Sequence, residues 1–404
     1  MSHAPAGRPL VRIADAGLGP DAQVLLVVSG VSDIRALQRR WASSGAALEA
    51  RDGRVTATTT VQALARAAGR ALGAQEAAAL EAALHSAVAS WLGPAPPVAL
   101  PDGRVLALGV RPAVAGVVNV TDDSFSDGGR VYPGDHPDAA VALAERMLAE
   151  GADLLDIGGE SSRPGASPVT LDEEQSRVLP VLRRLAVQGA VCSVDTVKAE
   201  TAAAALDAGA QIVNDVSGAL DPALLKVVAD ARAVYVLMHT RSTPADMQRH
   251  TGYADVVAEV YEFLAAGLER CADAGIPPER VLVDPGIGFA KTAAANLDLL
   301  RALRQLRSLG RPVFIGASRK SFLGPLSASR DGRPAGPADR LEASLATVAL
   351  AVANGAAVVR VHDVAASLSV VRVSRAVSSG RQDWPPVVDS PRSPSTDRTK
   401  HADH

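Results

Sequence analysis

Aromatic side chains make up only 3% of the 404 residues. The core must therefore be built from Ala, Val and Leu, which suits helices packed closely on parallel strands better than an aromatic-rich β sandwich. Cysteine is nearly absent: Cys192 and Cys271 are the only two. They allow one bridge at most and form no CxxC pair, which excludes a disulfide framework. Both are read as packing residues in a reducing compartment. No uncharged apolar run approaches the roughly 20 residues that a membrane helix needs. No basic start followed by an apolar segment marks a secretion signal, so a cytoplasmic location is expected. The net charge is −3, and nothing global points to nucleic acid or an anionic membrane. An anionic substrate would have to be caught by local positive charge. What is present is ample apolar material: 48% hydrophobic against 21% charged residues, enough to bury a large core.

The apolar runs divide the chain into three parts. Residues 1–97 read as a small α+β N-terminal extension of unknown role. Its strand candidates are Val24–Val28 and Arg54–Thr60, followed by alanine-rich helical stretches at 61–72 and 75–91. The Gly/Pro-rich segment after Trp91 marks a linker. Residues 98–379 carry eight short apolar runs: Val114–Val120, Leu154–Ile157, Val191–Val194, Gln211–Val213, Ala233–Met238, Val281–Val283, Val313–Ile315 and Ala357–Val361. A helical stretch follows each one. Such alternation predicts parallel strands with crossover helices. Eight units predict a closed (β/α)8 TIM barrel in the α/β class. An open doubly wound sheet would carry a Gly-rich loop after its first strand, and Asn119-Val120-Thr121-Asp122-Asp123 is not one. Residues 380–404, rich in Pro, Ser, Asp and Arg, are expected to form a disordered tail.

The chemistry is expected where these strands end, because a barrel of this kind gathers its site at the C-terminal ends of its strands. Asn119, Asp156, Asp195, Asn214, His239, Asp284 and Ser318 each close an apolar run. Asp195, Asn214 and Asp284 suit a flat heterocycle with N–H donors. Lys320, Arg163, Arg360 and His362 suit an anionic leaving group such as phosphate. Asn119 offers a hard oxygen to Mg²⁺. Structural readings stand beside these. Asp195 and Asp363 could cap the helices that follow, His239 could be a structural hydrogen-bonding residue, and Lys320 could be solvated. Two Gly/Ser/Pro-rich loops, Asp122–Pro137 and Glu160–Val169, have the composition of lids. Phe125, an aromatic in a polar loop, points to ligand contact.

In order along the chain, the motifs resemble those of dihydropteroate synthases. Asn119-Val120-Thr121-Asp122-Asp123-Ser124-Phe125-Ser126-Asp127-Gly128-Gly129 is similar to the first signature. The run Gly151 to Gly165, containing Asp156-Ile157-Gly158-Gly159-Glu160-Ser161-Ser162-Arg163-Pro164, is similar to the second. Ser193-Val194-Asp195-Thr196, Asn214-Asp215-Val216, Met238-His239, Asp284-Pro285-Gly286-Ile287-Gly288-Phe289, Ser318-Arg319-Lys320 and Arg360-Val361-His362-Asp363 complete the set. The resemblance spans about residues 110–378 and leaves out residues 1–100 and the tail.

It implies condensation of a dihydropterin pyrophosphate with p-aminobenzoate, by departure of pyrophosphate before the amine attacks. It also implies Mg²⁺, a homodimer, and an aminobenzoate site of the kind that sulfonamides target. By the same resemblance Asp195, Asn214, Met238, Asp284, Phe289 and Lys320 hold the pterin. Asn119, Ser162, Arg163, Arg360 and His362 hold pyrophosphate, with Asn119 on the metal. Phe125, Pro164, Arg319, Lys320 and Ser321 form the aminobenzoate site, with its carboxylate at a helix start near Ser321. Asp127, Lys320 and Asp195 are the implied catalytic residues. The family usually has Pro where Asp122 stands, Thr where Ser162 stands, and Met and Gly where Thr240 and Ser242 stand.

Overall fold

The computed structural model describes residues 9–16, 24–31, 37, 47–51, 54–59, 74–121, 136–161, 168–242, 246–329 and 331–389. An antiparallel sheet comes first: β1 (Leu10–Ala16), β2 (Val24–Ser29), β3 (Ala47–Arg51) and β4 (Arg54–Thr59), in the order β1-β2-β4-β3. Helix α1 (Ala74–Leu92) follows, with Leu80 and Leu84 fully buried. β1 and β3 were not anticipated, because Leu10–Ala16 and Ala47–Arg51 are broken by Arg, Asp and Glu and give no continuous apolar run. The expected helix over 61–72 lies outside the described residues. The extension docks on the barrel flank. The Tyr261 hydroxyl donates to the Val11 carbonyl at 2.7 Å, and Arg12 Nη1 donates to Gln305 Oε1 at 2.8 Å.

The barrel comes next. After the two-residue strands β5 (Val98–Ala99) and β6 (Val105–Leu106), its order is β7 (Ala113–Asn119), α2 (His136–Glu150), β8 (Leu154–Gly158), α3 (Leu171–Val187), β9 (Cys192–Asp195) and α4 (Ala199–Asp207). It continues with β10 (Ile212–Asp215), α5 (Pro222–Asp230), β11 (Val234–Met238), α6 (Val256–Asp273), β12 (Val281–Asp284) and α7 (Ala293–Arg301). A 3-10 stretch, Leu303–Leu309, precedes β13 (Phe314–Ile315), α8 (Leu323–Leu326), α9 (Leu341–Ala353), β14 (Val358–Val361) and α10 (Val364–Ser379). All eight predicted strands are present, each within two residues of its predicted ends. The sheet runs β12-β11-β10-β9-β8-β7-β14-β13 in parallel register. It closes through one bridge, Val283 to Val313, where Val283 N donates to Pro312 O at 3.0 Å.

Side chains alternate across a strand, so each barrel strand sends every second residue inward. Ala113, Ala115, Leu154, Val191, Ile212, Val234, Val236, Leu282, Phe314 and Val358 pack together as the barrel's inner floor. Val114, Leu155, Cys192, Val213 and Val283 face the helices. Two residues beyond an inward apolar residue, the same parity brings Asp156, Asn214, Asp284 and Arg360 into the lumen. The floor sits beneath them and the mouth above. Cys192 and Cys271 are buried free thiols, and burial pushes both up to about 12.

The chain beyond Gly380 differs from the disordered tail expected there. Val388–Asp389 forms β15, which pairs antiparallel with β6 to give the order β15-β6-β5 across the floor. Val387 is buried against Leu106 and the inner strands. Trp384 stacks under the Arg111 guanidinium, with Arg111 Cζ 4.1 Å from the ring centroid. Two apolar side chains and a stacked guanidinium are enough to hold this short return; residues from 390 onward lie outside the described ones.

Candidate active site

Most acceptor groups lie on the arc of the mouth across from that of Arg360 and His362, while Lys320 and Lys291 stand on the acceptor side. Asp195, Met238 and Asp284 end β9, β11 and β12, and Asn214 is the penultimate residue of their neighbour β10. Arg360 and His362 lie at the end of β14, which pairs with β7, the strand that ends in Asn119. Asn119 in turn is opposite Gly158 of β8.

A buried polar layer joins the arcs. Arg360 Nε donates to Asp156 Oδ2 at 2.6 Å and Arg360 Nη2 to Asp195 Oδ2 at 2.9 Å. Asn214 Nδ2 donates to the same Asp156 oxygen at 3.0 Å. Asp156 Oδ1 is buried without a hydrogen-bond partner among the described residues. Arg360 Nη1 makes no hydrogen bond to a described residue. The layer therefore keeps an acceptor and a donor in reserve. Burial pushes the Asp195 carboxyl up to about 7; Arg360 opposes this and Asp156 adds to it. Burial also pulls the Lys320 ammonium down to about 8, against the attraction of Asp284. Burial raises Asp284 too, with Lys320 opposing.

The β12 loop is fixed by its own chemistry. Asp284 Oδ1 accepts from Gly286 N at 2.7 Å. Gly286 has φ +66°, and a Cβ there would overlap the His239 carbonyl oxygen, so only glycine fits. Lys320 reaches across to the Ile287 carbonyl and lies 4.6 Å from the centroid of the Phe289 ring. Phe289 and Met238 pack with Met247 and Ala290 as an apolar wall. Sequence reasoning missed Lys291. Its Nζ is buried and donates to the Gly286 and Phe289 carbonyls at 2.9 Å each, and it lies 2.9 Å from His239 Nδ1. A lysine directly after a glycine-rich strand-end loop was the available signal. His239 is thereby a buried hydrogen-bonding residue with its titration pushed well down, first by burial and then by Lys291.

The turn after β13 departs from two expectations. Asp363 stands at the N-cap position of α10 but makes no side-chain cap bond. It instead takes Arg319 bidentately, with Nε at 2.9 Å and Nη2 at 2.6 Å. The expected cap is therefore an ion-pair partner. Secondly, the helix expected to start at Ser321 starts at Leu323 and has four residues, so it offers little dipole. Ser321 is exposed beside it. Arg319 has φ +57°, a left-handed conformation rare for a side chain of that bulk, and the Asp363 pair helps to hold it. His362 Nδ1 lies 3.0 Å from Ser318 Oγ. Phe125, Asp127, Ser162, Arg163 and Pro164, with Asp122, lie outside the described residues.

One flank of the second loop is anchored. Lys198 pairs with Glu160, the first residue of that loop, and with the buried Glu174 at 3.0 Å. Glu174 also accepts from Thr196 at 2.7 Å and Thr201 at 2.9 Å. Thr196 thus links the loop's support to its neighbour Asp195.

The sequence profile of the pterin binding enzymes matches residues 115–362. The dihydropteroate synthase of Mycobacterium leprae is 49% identical over 262 residues, covering 64% of this chain and 91% of that protein. The chain belongs to the dihydropteroate synthase family. Its barrel is correspondingly similar to solved structures of that family. The Xanthomonas albilineans dihydropteroate synthase with 4-aminobenzoic acid is 46% identical with a TM-score of 0.64, covering 70% of this chain and 99% of that one. The Burkholderia cenocepacia enzyme complexed with 7,8-dihydropteroate is 41% identical with a TM-score of 0.62, covering 71% and 98%. Family membership makes the chain a transferase of folate biosynthesis acting on small molecules. The extension before residue 98 falls outside the matched profile.

Proposed function

We infer that the chain condenses 6-hydroxymethyl-7,8-dihydropterin pyrophosphate with p-aminobenzoate, releasing pyrophosphate and forming 7,8-dihydropteroate. The observation that carries this reading is the two-arc mouth: acceptors on β9 to β12 face cations and an amide on β14 and β7. A substrate with a donor-rich heterocycle at one end and a pyrophosphate at the other matches that polarity. Asp195, Asn214 and Asp284 take the pterin edge, with Lys320 donating to it and Met238 and Phe289 against its face. Arg360, His362 and Asn119 take the leaving pyrophosphate, joined by Ser162 and Arg163 of the second loop. Phe125, Pro164, Arg319, Lys320 and Ser321 form the aminobenzoate side.

The C–O bond to pyrophosphate breaks first, and its electron pair leaves with the pyrophosphate. The cation left on the methylene is stabilised by the pterin and by the surrounding carboxylates, with Asp127 among them. The amine lone pair then forms the C–N bond and its proton is released. The described residues hold no cluster of three His, Cys, Asp or Glu side chains able to cage a metal. Asn119 alone at the phosphate side fits Mg²⁺, which keeps waters and takes few protein ligands alongside phosphate oxygens. When bound there, the ion supplies charge neutralisation on the leaving group.

A location in the cytoplasm is proposed; among the described residues no helix is long and apolar enough to cross a membrane. A homodimer through the helices behind the mouth accords with the exposed Leu350 on α9 and Val373 and Val377 on α10. The deciding experiment is a coupled assay of pyrophosphate release with both substrates and Mg²⁺. Turnover dependent on p-aminobenzoate is the expected result. Pterin binding without pyrophosphate release would leave a binding protein in place of a synthase.

A further inference from the structure

A cavity of about 240 Å³ lies at the barrel's floor end, where the end of α1 and the linker after it meet the turns that precede β13 and β14. Arg307 and Arg311 line it, and no carboxylate does. Arg307 is fixed in place. It donates to the Gly93 carbonyl and lies flat on Gly355 (φ +83°), where a Cβ would come within 2.7 Å of its Cδ and Nη1. Arg311 is half-buried and makes no hydrogen bond or ion pair with any described residue. Glu279 attracts it from beyond ion-pair distance. Arg304 stands close by over the Trp91 ring, its Cζ 5.4 Å from the centroid. Burial, with the Arg304 charge adding to it, pulls the Arg307 guanidinium down to about 10. Ser90 also lines the cavity, and its hydroxyl has no partner among the described residues.

Like charges withdrawn from water without a counter-ion are costly, and native structures normally supply the partner. Part of the arrangement has a structural explanation. Helix α1 has no basic residue in its last turn, and Arg307 supplies positive charge there through Gly93. That explanation does not reach Arg311 or Ser90. Their unspent donors face a space several times a water's ~30 Å³ share of liquid volume. Guanidinium forks match the oxygens of phosphate in geometry and charge.

We propose that this cavity is a second anion site, separate from the mouth, which takes a phosphate group between Arg311, Arg307 and Ser90. Because its walls come from both the extension and the barrel, an occupant ties the two together. This gives residues 1–97 a function: they complete a phosphate site that the barrel alone leaves open.

The test uses the full chain and inorganic phosphate, titrated calorimetrically in chloride buffer and followed in parallel by the thermal unfolding midpoint. Arg311→Ala is expected to weaken phosphate binding at this site at least tenfold and to leave turnover unchanged. Arg311→Lys should recover part of the affinity. Ser90→Asp places a carboxylate where the anion would sit; it should raise the midpoint without phosphate and abolish the phosphate increment. Arg360→Ala serves as the control for phosphate held at the mouth. If the whole phosphate signal survives R311A and disappears in R360A, the floor site does not exist. Wild-type phosphate affinity in S90D would overturn it equally. Pyrophosphate and a nucleoside monophosphate, titrated into R360A, then separate a bare phosphate site from one that also takes an organic portion.

Discussion

The two ends of the barrel bury charge in different ways. Beneath the floor, Arg111 makes a closed pair with Asp153: Nη1 to Oδ2 at 2.7 Å, Nη2 to Oδ1 at 2.6 Å, with Trp384 stacked on the guanidinium. Asp153 Oδ2 also accepts from Val114 N at 2.9 Å, so the carboxylate is fully used in starting β7. At the mouth, Arg360 spans two carboxylates yet keeps Nη1 in reserve, and Asp156 keeps an oxygen. Saturated pairs hold the fold, and unsaturated ones are ready for a ligand. Barrels of this architecture keep stability and chemistry at opposite ends, and the Arg111–Asp153 and Arg360–Asp156 pairs carry that division here.

Substitutions can break that contrast. The largest expected effect is on stability. Arg111→Ala strands a buried carboxylate and should cost about 3–5 kcal/mol, read as a lowered denaturation midpoint, with kcat of the surviving folded enzyme unchanged. A midpoint within error of the parent would show the floor pair to be no more than decoration. Next is Arg360→Ala, which should lower kcat/KM by the equivalent of about 2–5 kcal/mol, since a guanidinium that holds both carboxylates and is proposed to hold the leaving group is lost. Near-parental turnover would remove Arg360 from the chemistry.

A smaller effect is expected in the pH dependence of kcat/KM, which reports on the free enzyme. In the role proposed for it Asp195 must be ionised to accept from the pterin, so activity should rise as pH climbs through about 7. Lys320 must be protonated to donate, so activity should fall above about 8. The acid limb should disappear in Asp195→Asn, and in R360A it should move to higher pH because the cation that opposes the shift is gone. An acid limb that stays at its place in D195N belongs to another group. The smallest effect is reserved for Lys226, whose i,i+4 pair with Asp230 is solvent-exposed on α5. Lys226→Ala should change stability by less than about 0.5 kcal/mol, which calibrates the other values.

Much of this was legible in the residues themselves. Runs such as Val281–Val283 are apolar, short and bounded, and the strand-end residues after them follow from the period of two. What escaped was whatever lacked periodicity. β5, β6 and β15 have two residues each, too few for a pattern, and β15 pairs with β6 from almost 300 positions away. Arg319 and Asp363 are ordinary polar residues in sequence; only the fold brings them together, converting a supposed helix cap into a clamp on a strained turn. Asp156 closes an apolar run in the sequence, but its place beneath Arg360 depends on β14 pairing back onto β7. Lys291 was hidden because a buried ammonium held by carbonyls resembles a surface lysine when read along the chain.

The single bridge between Val283 and Val313 has a mechanical consequence. On one side of that seam stands Asp284, and beyond β13 on the other stands Lys320. A pterin held by both would act as a rivet across the least hydrogen-bonded joint of the cylinder. Amide exchange at Val283 should therefore slow more on pterin binding than exchange at Val213 in the fully laddered interior. Compounds that occupy only the aminobenzoate side should leave the seam breathing as before.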